Sequence, residues 1–161
     1  MSQEARITIE LAPSATAEVR ALIAELEEIL SAEYSPEQRH GLRLEAIFQP
    51  HIRFFVARLD GVAVGCGGVA LFDDFAEVKR MYVREEARGR GVADALLGRL
   101  EGEARTARLN TVRLETGDRQ LAAMRFYERN GFRRCGAFGT YAAMPPFSTA
   151  TSVFFEKPLD Q

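Results

Sequence analysis

Residues 83 to 97, VREEARGRGVADALL, place two glycines and three arginines directly before an apolar helical pattern. A helix start carries free backbone N–H groups and a partial positive charge, so it is a natural seat for an anion. Glycine lets phosphate oxygens approach the backbone closely because no side chain stands in the way. Arg88, Gly91 and Ala93 fall in the pattern Arg-x-x-Gly-x-Ala between an expected strand and a long expected helix. Two other phosphate loops do not fit. The Gly-Lys-Ser/Thr ending of a P-loop is missing, and Asp94 stands at the third glycine of a dinucleotide fingerprint. Taken alone, the stretch reads either as a phosphate-holding loop or as a solvated turn whose arginines face water.

The elements around it are legible from periodicity. Ile7, Ile9 and Leu11 alternate with Arg6, Thr8 and Glu10, the pattern of a strand. Val19, Leu22, Ile23, Leu26, Ile29 and Leu30 recur at helical spacing. Ser35-Pro36-Glu37-Gln38 then predicts a second helix, with Ser35 as N-cap, Pro36 at the first position and Gln38 closing a capping box. HIRFFVAR and VAVGCGGVALF flank Asp60-Gly61, a dipeptide suited to a tight hairpin. AEVKRMYVR is a further strand, which places Glu77, Lys79, Met81 and Val83 on one face unless a bulge intervenes. After the loop, Val92, Leu96, Leu100, Ala104 and Ala107 form a helical stripe. TVRLET is a strand, QLAAMRFYERN a shorter helix ended by Gly131, and two strands close the chain near Phe132–Cys135 and Ser152–Lys157. The order is strand, two helices, three strands, helix, strand, helix, two strands. That is one α/β domain, residues 1–161, on a mixed, mostly antiparallel sheet.

Composition excludes several classes. A length of 161 residues suits one domain with a real core, and a net charge of −2 gives no electrostatic reason to expect nucleic acid or membrane as partner. Cys66 and Cys135 lie far apart without ligand spacing, so metal binding has no support and both read as free thiols. The charged N-terminus lacks the apolar run of a signal peptide, and the expected location is cytoplasmic.

The loop resembles the acyl-CoA pyrophosphate loop of the GCN5-related N-acetyltransferase (GNAT) superfamily, whose motif is Gln/Arg-x-x-Gly-x-Gly/Ala. AEVKRMYV is similar to the strand that precedes that loop in the family. AAMRFYERNGF, residues 122 to 132, resembles the family's second signature, a tyrosine-bearing helix ending in Gly-Phe. The element order agrees as well.

The resemblance implies a sheet of six to seven strands flanked by about four helices, with strands four and five splayed around acetyl-CoA. It implies that the backbone of Met81, Tyr82 and Val83 binds the pantetheine arm as an added strand would. A free N–H near Met81 would polarise the thioester carbonyl. Arg88, Gly89, Arg90, Gly91, Val92 and Ala93 would wrap the pyrophosphate. Gln120 stands where the family often has asparagine on the pantetheine. An amine would attack the thioester directly, which requires a proton acceptor. Glu77 occupies the place of a general-base glutamate in some members, although an ion pair with Lys79 or with a neighbouring strand explains it slightly better. Glu115, beside Thr116-Gly117, is a second candidate base or an amine anchor. Tyr127 matches the tyrosine that protonates the departing thiolate and otherwise packs in the core.

The acceptor pocket is expected near the first helices and the long segment GAFGTYAAMPPFSTAT, with Phe138, Tyr141 and Phe147 as wall or surface cover. Tyr34, His40 and Phe48 are weaker candidates there. The implied activity is acetyl transfer from acetyl-CoA to a primary amine of a small molecule or amino acid, without a metal. The alternative is a catalytically idle acyl-CoA sensor or partner-binding module. A homodimer is compatible with the resemblance.

Overall fold

The computed structural model describes residues 5–160. Strands β1 (Ile7–Leu11), β2 (Ile52–Leu59), β3 (Val62–Leu71), β4 (Ala76–Val83), β5 (Thr111–Gly117), β6 (Arg133–Cys135) and β7 (Ser152–Pro158) form one sheet in the order β1-β2-β3-β4-β5-β7-β6. Every pairing is antiparallel except β4 with β5. Helices α1 (Ala17–Glu33), α2 (Val92–Thr106), α3 (Leu121–Arg129) and the short α4 (Pro146–Thr149) flank it. The seven strands and four helices match the expected architecture.

The expected hairpin forms where Asp60-Gly61 stands. Both residues have positive φ (51° and 86°), and Leu59 pairs with Val62 across the turn. The expected second helix does not form as an α-helix. Residues Pro36–Gln38 make a single 3₁₀ turn that keeps half of its capping box, the Ser35 N–H donating to Gln38 Oε1 at 3.4 Å, and Leu44–Phe48 make another. Gly41 and the polar run around it offer no apolar stripe that would stabilise further turns by packing. The α2 stripe is also shorter than expected, because Ala107 caps the helix and is exposed, while burial ends at Ala104.

Two cores sit on opposite faces of the sheet. Val92, Leu96, Leu97, Leu100 and Ala104 of α2, with Met124 and Tyr127 of α3, pack on Phe55, Val78, Val112, Leu114 and Phe155. Val19, Leu22 and Ile23 of α1 pack on Phe54, Val56 and Cys66 from the other side. Thr16 caps α1 by accepting from the Val19 N–H at 3.3 Å. The α1 stripe outruns the sheet surface beneath it, so Leu26 and Leu30 are only half-buried and Ile29 is exposed. Cys66 is buried and Cys135 half-buried, both as free thiols. Among the described residues, no helix is long and apolar enough to cross a membrane.

Candidate active site

The parallel pairing of β4 with β5 is confined to Ala76 opposite Val112 and Glu77 opposite Arg113. From Val78 onward the two strands diverge, and β4 has no strand partner on that edge. Opening a sheet this way exposes backbone hydrogen-bonding groups that something must satisfy.

A bulge in β4 sharpens the geometry. Lys79 pairs with Gly68 and Tyr82 with Cys66, so three steps on β4 answer two on β3. Arg80 takes φ +56° at this point, an uncommon value for a residue with a β-carbon. The strict alternation expected for the strand therefore fails. Glu77 and Lys79 share one face. Met81 and Val83 join the core on the α2 face, whereas Tyr82 turns toward α1.

Two cavities meet at the splay. One, of about 600 Å³, runs past Met81, Tyr82, Val83, Arg88, Gly89, Gly91, Val92 and Ala93 to the start of α3. The other, of about 130 Å³, is lined by Glu77, Lys79, Glu115 and Tyr141 among others. Leu26, Met81, Gln120, Ala123 and Tyr127 line both, so they form the junction.

The large cavity ends on the glycine loop. Gly89 and Gly91 have φ of +76° and +85°, a region L-residues enter only at a cost. Gly91 is the N-cap of α2, and its αL backbone turns the chain so that the helix N-terminus faces the cleft. Arg88 fixes the loop locally by donating from Nε to the Val83 carbonyl at 3.1 Å. Arg90 does not line the cleft, in contrast to its expected place among the cofactor contacts, and is exposed instead. Arg84 is held in a two-pronged ion pair with Glu25 at 2.8 and 3.0 Å. Arg119 and Arg129, which periodicity did not single out, add positive charge along the same cleft. Their only sequence signal was their position at the two ends of the tyrosine-bearing helix.

Tyr127 is buried at the junction, its ring edge-on to Phe126 at 5.4 Å and to Phe132 at 5.6 Å. Burial raises its phenol above the ordinary range, so the hydroxyl stays protonated. Core packing and a cavity-facing position are thus both satisfied by one side chain.

The small cavity holds the two carboxylates. Glu77 is buried at 5% exposure, with Oε2 accepting from the Tyr141 hydroxyl at 2.6 Å and lying 3.1 Å from Lys79 Nζ. The ion pair weighed for Glu77 therefore exists, with Tyr141 as a third member. Glu115 is differently placed. Its Oε2 accepts from the Ser152 hydroxyl at 2.7 Å, and burial raises its pKa against the pull of that bond and of His40 and Lys79.

The long segment before β7 walls this cavity. Tyr141 comes from a 3₁₀ turn, Gly139–Ala143, and joins Phe75, Phe138 and Phe154 in an aromatic cluster. Phe147 is 59% exposed and stays outside it. His40 lines the cavity, with Nε2 2.7 Å from the Ser148 carbonyl and its ring edge-on to Tyr141. Phe48 packs on Phe54 in the α1 core and takes no part. Tyr34 is buried away from the lining, its hydroxyl accepting from the Arg119 N–H at 2.8 Å. Among the described residues no group of three or more His, Cys, Asp or Glu side chains is arranged to hold a metal ion.

Comparison with known proteins locates this arrangement. The family model described as the acetyltransferase (GNAT) family matches residues 22–132. An IAA acetyltransferase from Azospirillum brasilense is 43% identical over 140 residues, covering 86% of this chain and 88% of that one. A solved structure from Klebsiella pneumoniae, described as an acyl-CoA N-acyltransferase, is 34% identical, covers 96% of this chain and 98% of its own, and superposes with a TM-score of 0.75. A GNAT-family acetyltransferase from Elizabethkingia anophelis, solved with acetyl-CoA bound, shares the fold at a TM-score of 0.67 with 18% identity and coverages of 95% and 98%.

Proposed function

Since this chain belongs to the acetyltransferase (GNAT) family and is an acetyl-CoA-dependent N-acetyltransferase, we propose that it acetylates the primary amine of a small molecule by direct attack on the thioester. The observation that carries this reading is the junction of the two cavities at Met81, Gln120, Ala123 and Tyr127. A donor lying in the long cleft presents its thioester there, and an acceptor in the small cavity meets it from the opposite side.

The long cleft suits CoA from end to end. Backbone N–H groups at Gly89, Gly91, Val92 and Ala93, with the α2 N-terminus behind them, take the pyrophosphate. The unpaired edge of β4 at Met81 to Val83 receives the pantetheine amides as an added strand would. Gln120 offers its side-chain amide at the same turn. An N–H of the splayed strand near Met81 faces the oxygen on which negative charge builds in the tetrahedral intermediate.

Proton traffic falls to two residues. An ammonium has no lone pair, so it must lose a proton before attack. Glu115 is the better acceptor of the two carboxylates. Its raised pKa brings it nearer to neutrality, whereas both the charge and the lone pairs of Glu77 are already engaged by Lys79 and Tyr141. The amine nitrogen then bonds to the carbonyl carbon, the C–S bond breaks, and the CoA sulfur takes the hydroxyl proton of Tyr127; the second nitrogen proton leaves the adduct and restores the Tyr127 hydroxyl through solvent.

Release of free thiol from acetyl-CoA in the presence of a panel of primary amines tests the reading. Acetylated amine and CoA should form in equal amounts. Binding of CoA without thiol release for any amine would overturn it in favour of an idle acyl-CoA sensor.

A further inference from the structure

The small cavity carries a charge pattern that the acetyl donor does not explain. Six acidic or basic residues line it: Arg39, His40, Glu77, Lys79, Arg80 and Glu115. Most are already answered. Glu77 and Lys79 neutralise each other, and Tyr141 completes that pair. The Arg80 guanidinium pairs with Glu27 of α1 and donates from Nε to the Leu42 carbonyl at 2.9 Å. His40 bonds to the Ser148 carbonyl.

Two groups remain. Among the described residues Glu115 has no ion-pair partner and is hydrogen-bonded by the hydroxyl of Ser152. Arg39 shares Glu27 with Arg80, through Nη1 at 3.3 Å, so two guanidiniums divide one carboxylate and a net positive charge is left over. Its Nε–H is buried without a hydrogen-bond partner among the described residues. A buried donor in that state is costly and calls for an acceptor. With Nη1 on Glu27, the remaining donors Nε and Nη2 have the spacing that takes a carboxylate with two parallel bonds, once the side chain turns to open the buried Nε to the cavity. One surplus anion and one surplus cation therefore line the same compact cavity.

We propose that the acceptor amine also carries a carboxylate: the substrate class is amino acids, with Arg39 as the carboxylate anchor and Glu115 receiving the amine. This rests on the acetyl-transfer reading above and specifies its acceptor. The guanidinium–carboxylate contact fixes one end of the substrate, which leaves the amine a short reach to the junction where the thioester lies. Arg39 is a specificity residue in this scheme, and Lys79 and Arg80 hold the walls that frame it.

Matched pairs of acceptors test the assignment in the full-length enzyme: an amino acid against its carboxamide and its decarboxylated amine, each followed by thiol release from acetyl-CoA. The acid member of a pair should have a kcat/KM at least about tenfold higher, as expected for a charge-assisted bidentate contact. Arg39→Met should raise KM for the acid by about tenfold to a hundredfold and erase the difference within the pair. CoA affinity by calorimetry should stay at its wild-type value. Arg39→Lys, which keeps the charge but not the fork, should recover only part of the loss. Equal rates within pairs, preference for the uncharged members, or equal losses for both members in Arg39→Met would overturn the proposal while acetyl transfer stands. If Arg39→Met does not fold, the wild-type pairs decide alone. Thiol release by no amine of either kind would remove this proposal together with the reading beneath it.

Discussion

The Tyr141 hydroxyl donates to Glu77 Oε2 at 2.6 Å across 64 residues of chain, and Lys79 Nζ donates to the same hydroxyl at 2.9 Å. Burial and the neighbouring Glu77 hold the Tyr141 phenol well above its ordinary range, so it remains the donor. The contact ties the segment before β7 to the middle of β4, and it is where the wall of the small cavity closes.

Removing one member of this triad should cost more than its single bond, because the others stay buried. Tyr141→Phe should destabilise the protein by about 1–3 kcal/mol by leaving part of Glu77 unsatisfied. Lys79→Met should cost about 3–5 kcal/mol, since an uncompensated buried carboxylate remains. Urea unfolding of both checks these losses, and wild type, Tyr141→Phe, Glu77→Gln and the double variant complete a double-mutant cycle that measures the coupling. Additive losses would show that the contact contributes little.

Tyr127→Phe keeps the ring packing against Phe126, Phe132 and Phe155 and removes only the hydroxyl. Turnover should fall about 10²- to 10⁴-fold, as for loss of a general acid, while CoA binds as before. Rapid thiol release by the variant would return Tyr127 to a packing role.

Gly91→Ala tests the loop. An added β-carbon meets only Ile7 Cδ1 at 3.7 Å, an ordinary contact, so space is not the constraint. The φ of +85° is the constraint, and a side chain there costs about 1–2 kcal/mol. The loop relieves that strain by turning N–H groups away from the cleft, and CoA should bind about tenfold or more weakly on the same energy scale. Calorimetry showing wild-type CoA affinity would detach the loop from the pyrophosphate.

Glu115 carries a pH signature. Its folded-state pKa lies above the ordinary 4.5, so the folded protein holds this proton more tightly than the unfolded chain. Its stabilising effect is fully present below 4.5 and is lost as pH rises through the raised value. Glu115→Gln should therefore match wild-type stability at low pH and exceed it increasingly toward neutrality. Thermal unfolding across that range checks the sign. The same variant should lose the acidic limb of the kcat/KM profile and about 10²- to 10⁴-fold of its rate. A limb that persists in Glu115→Gln would move the base to another group.

Much of the scaffold was readable because it is local. The hairpin follows from Asp60-Gly61, the α2 start from Gly91, and the stop of α3 from Gly131, each set by backbone preferences of one or two residues. The second helix failed for a related reason. Ser35 to Gln38 carry a valid cap, but a cap starts a helix and cannot sustain one without an apolar stripe to bury. The β4 bulge had no local signal at all. Arg80 adopts its left-handed backbone in a tertiary setting, with its guanidinium bonded to Leu42 and Glu27.

The sequence by itself determined the order of the strands and the glycine loop at the start of α2, because glycine placement and hydrophobic period act over a few residues, and its motifs carried the resemblance to the family. Only the tertiary structure decided which charges remain unspent in the small cavity. Glu77 is paired with Lys79 and accepts a hydrogen bond from Tyr141 far along the chain, while Arg39 and Glu115 are left incompletely paired. Electrostatic pairing depends on distance and burial in space, and neither is written in the spacing of residues along the chain.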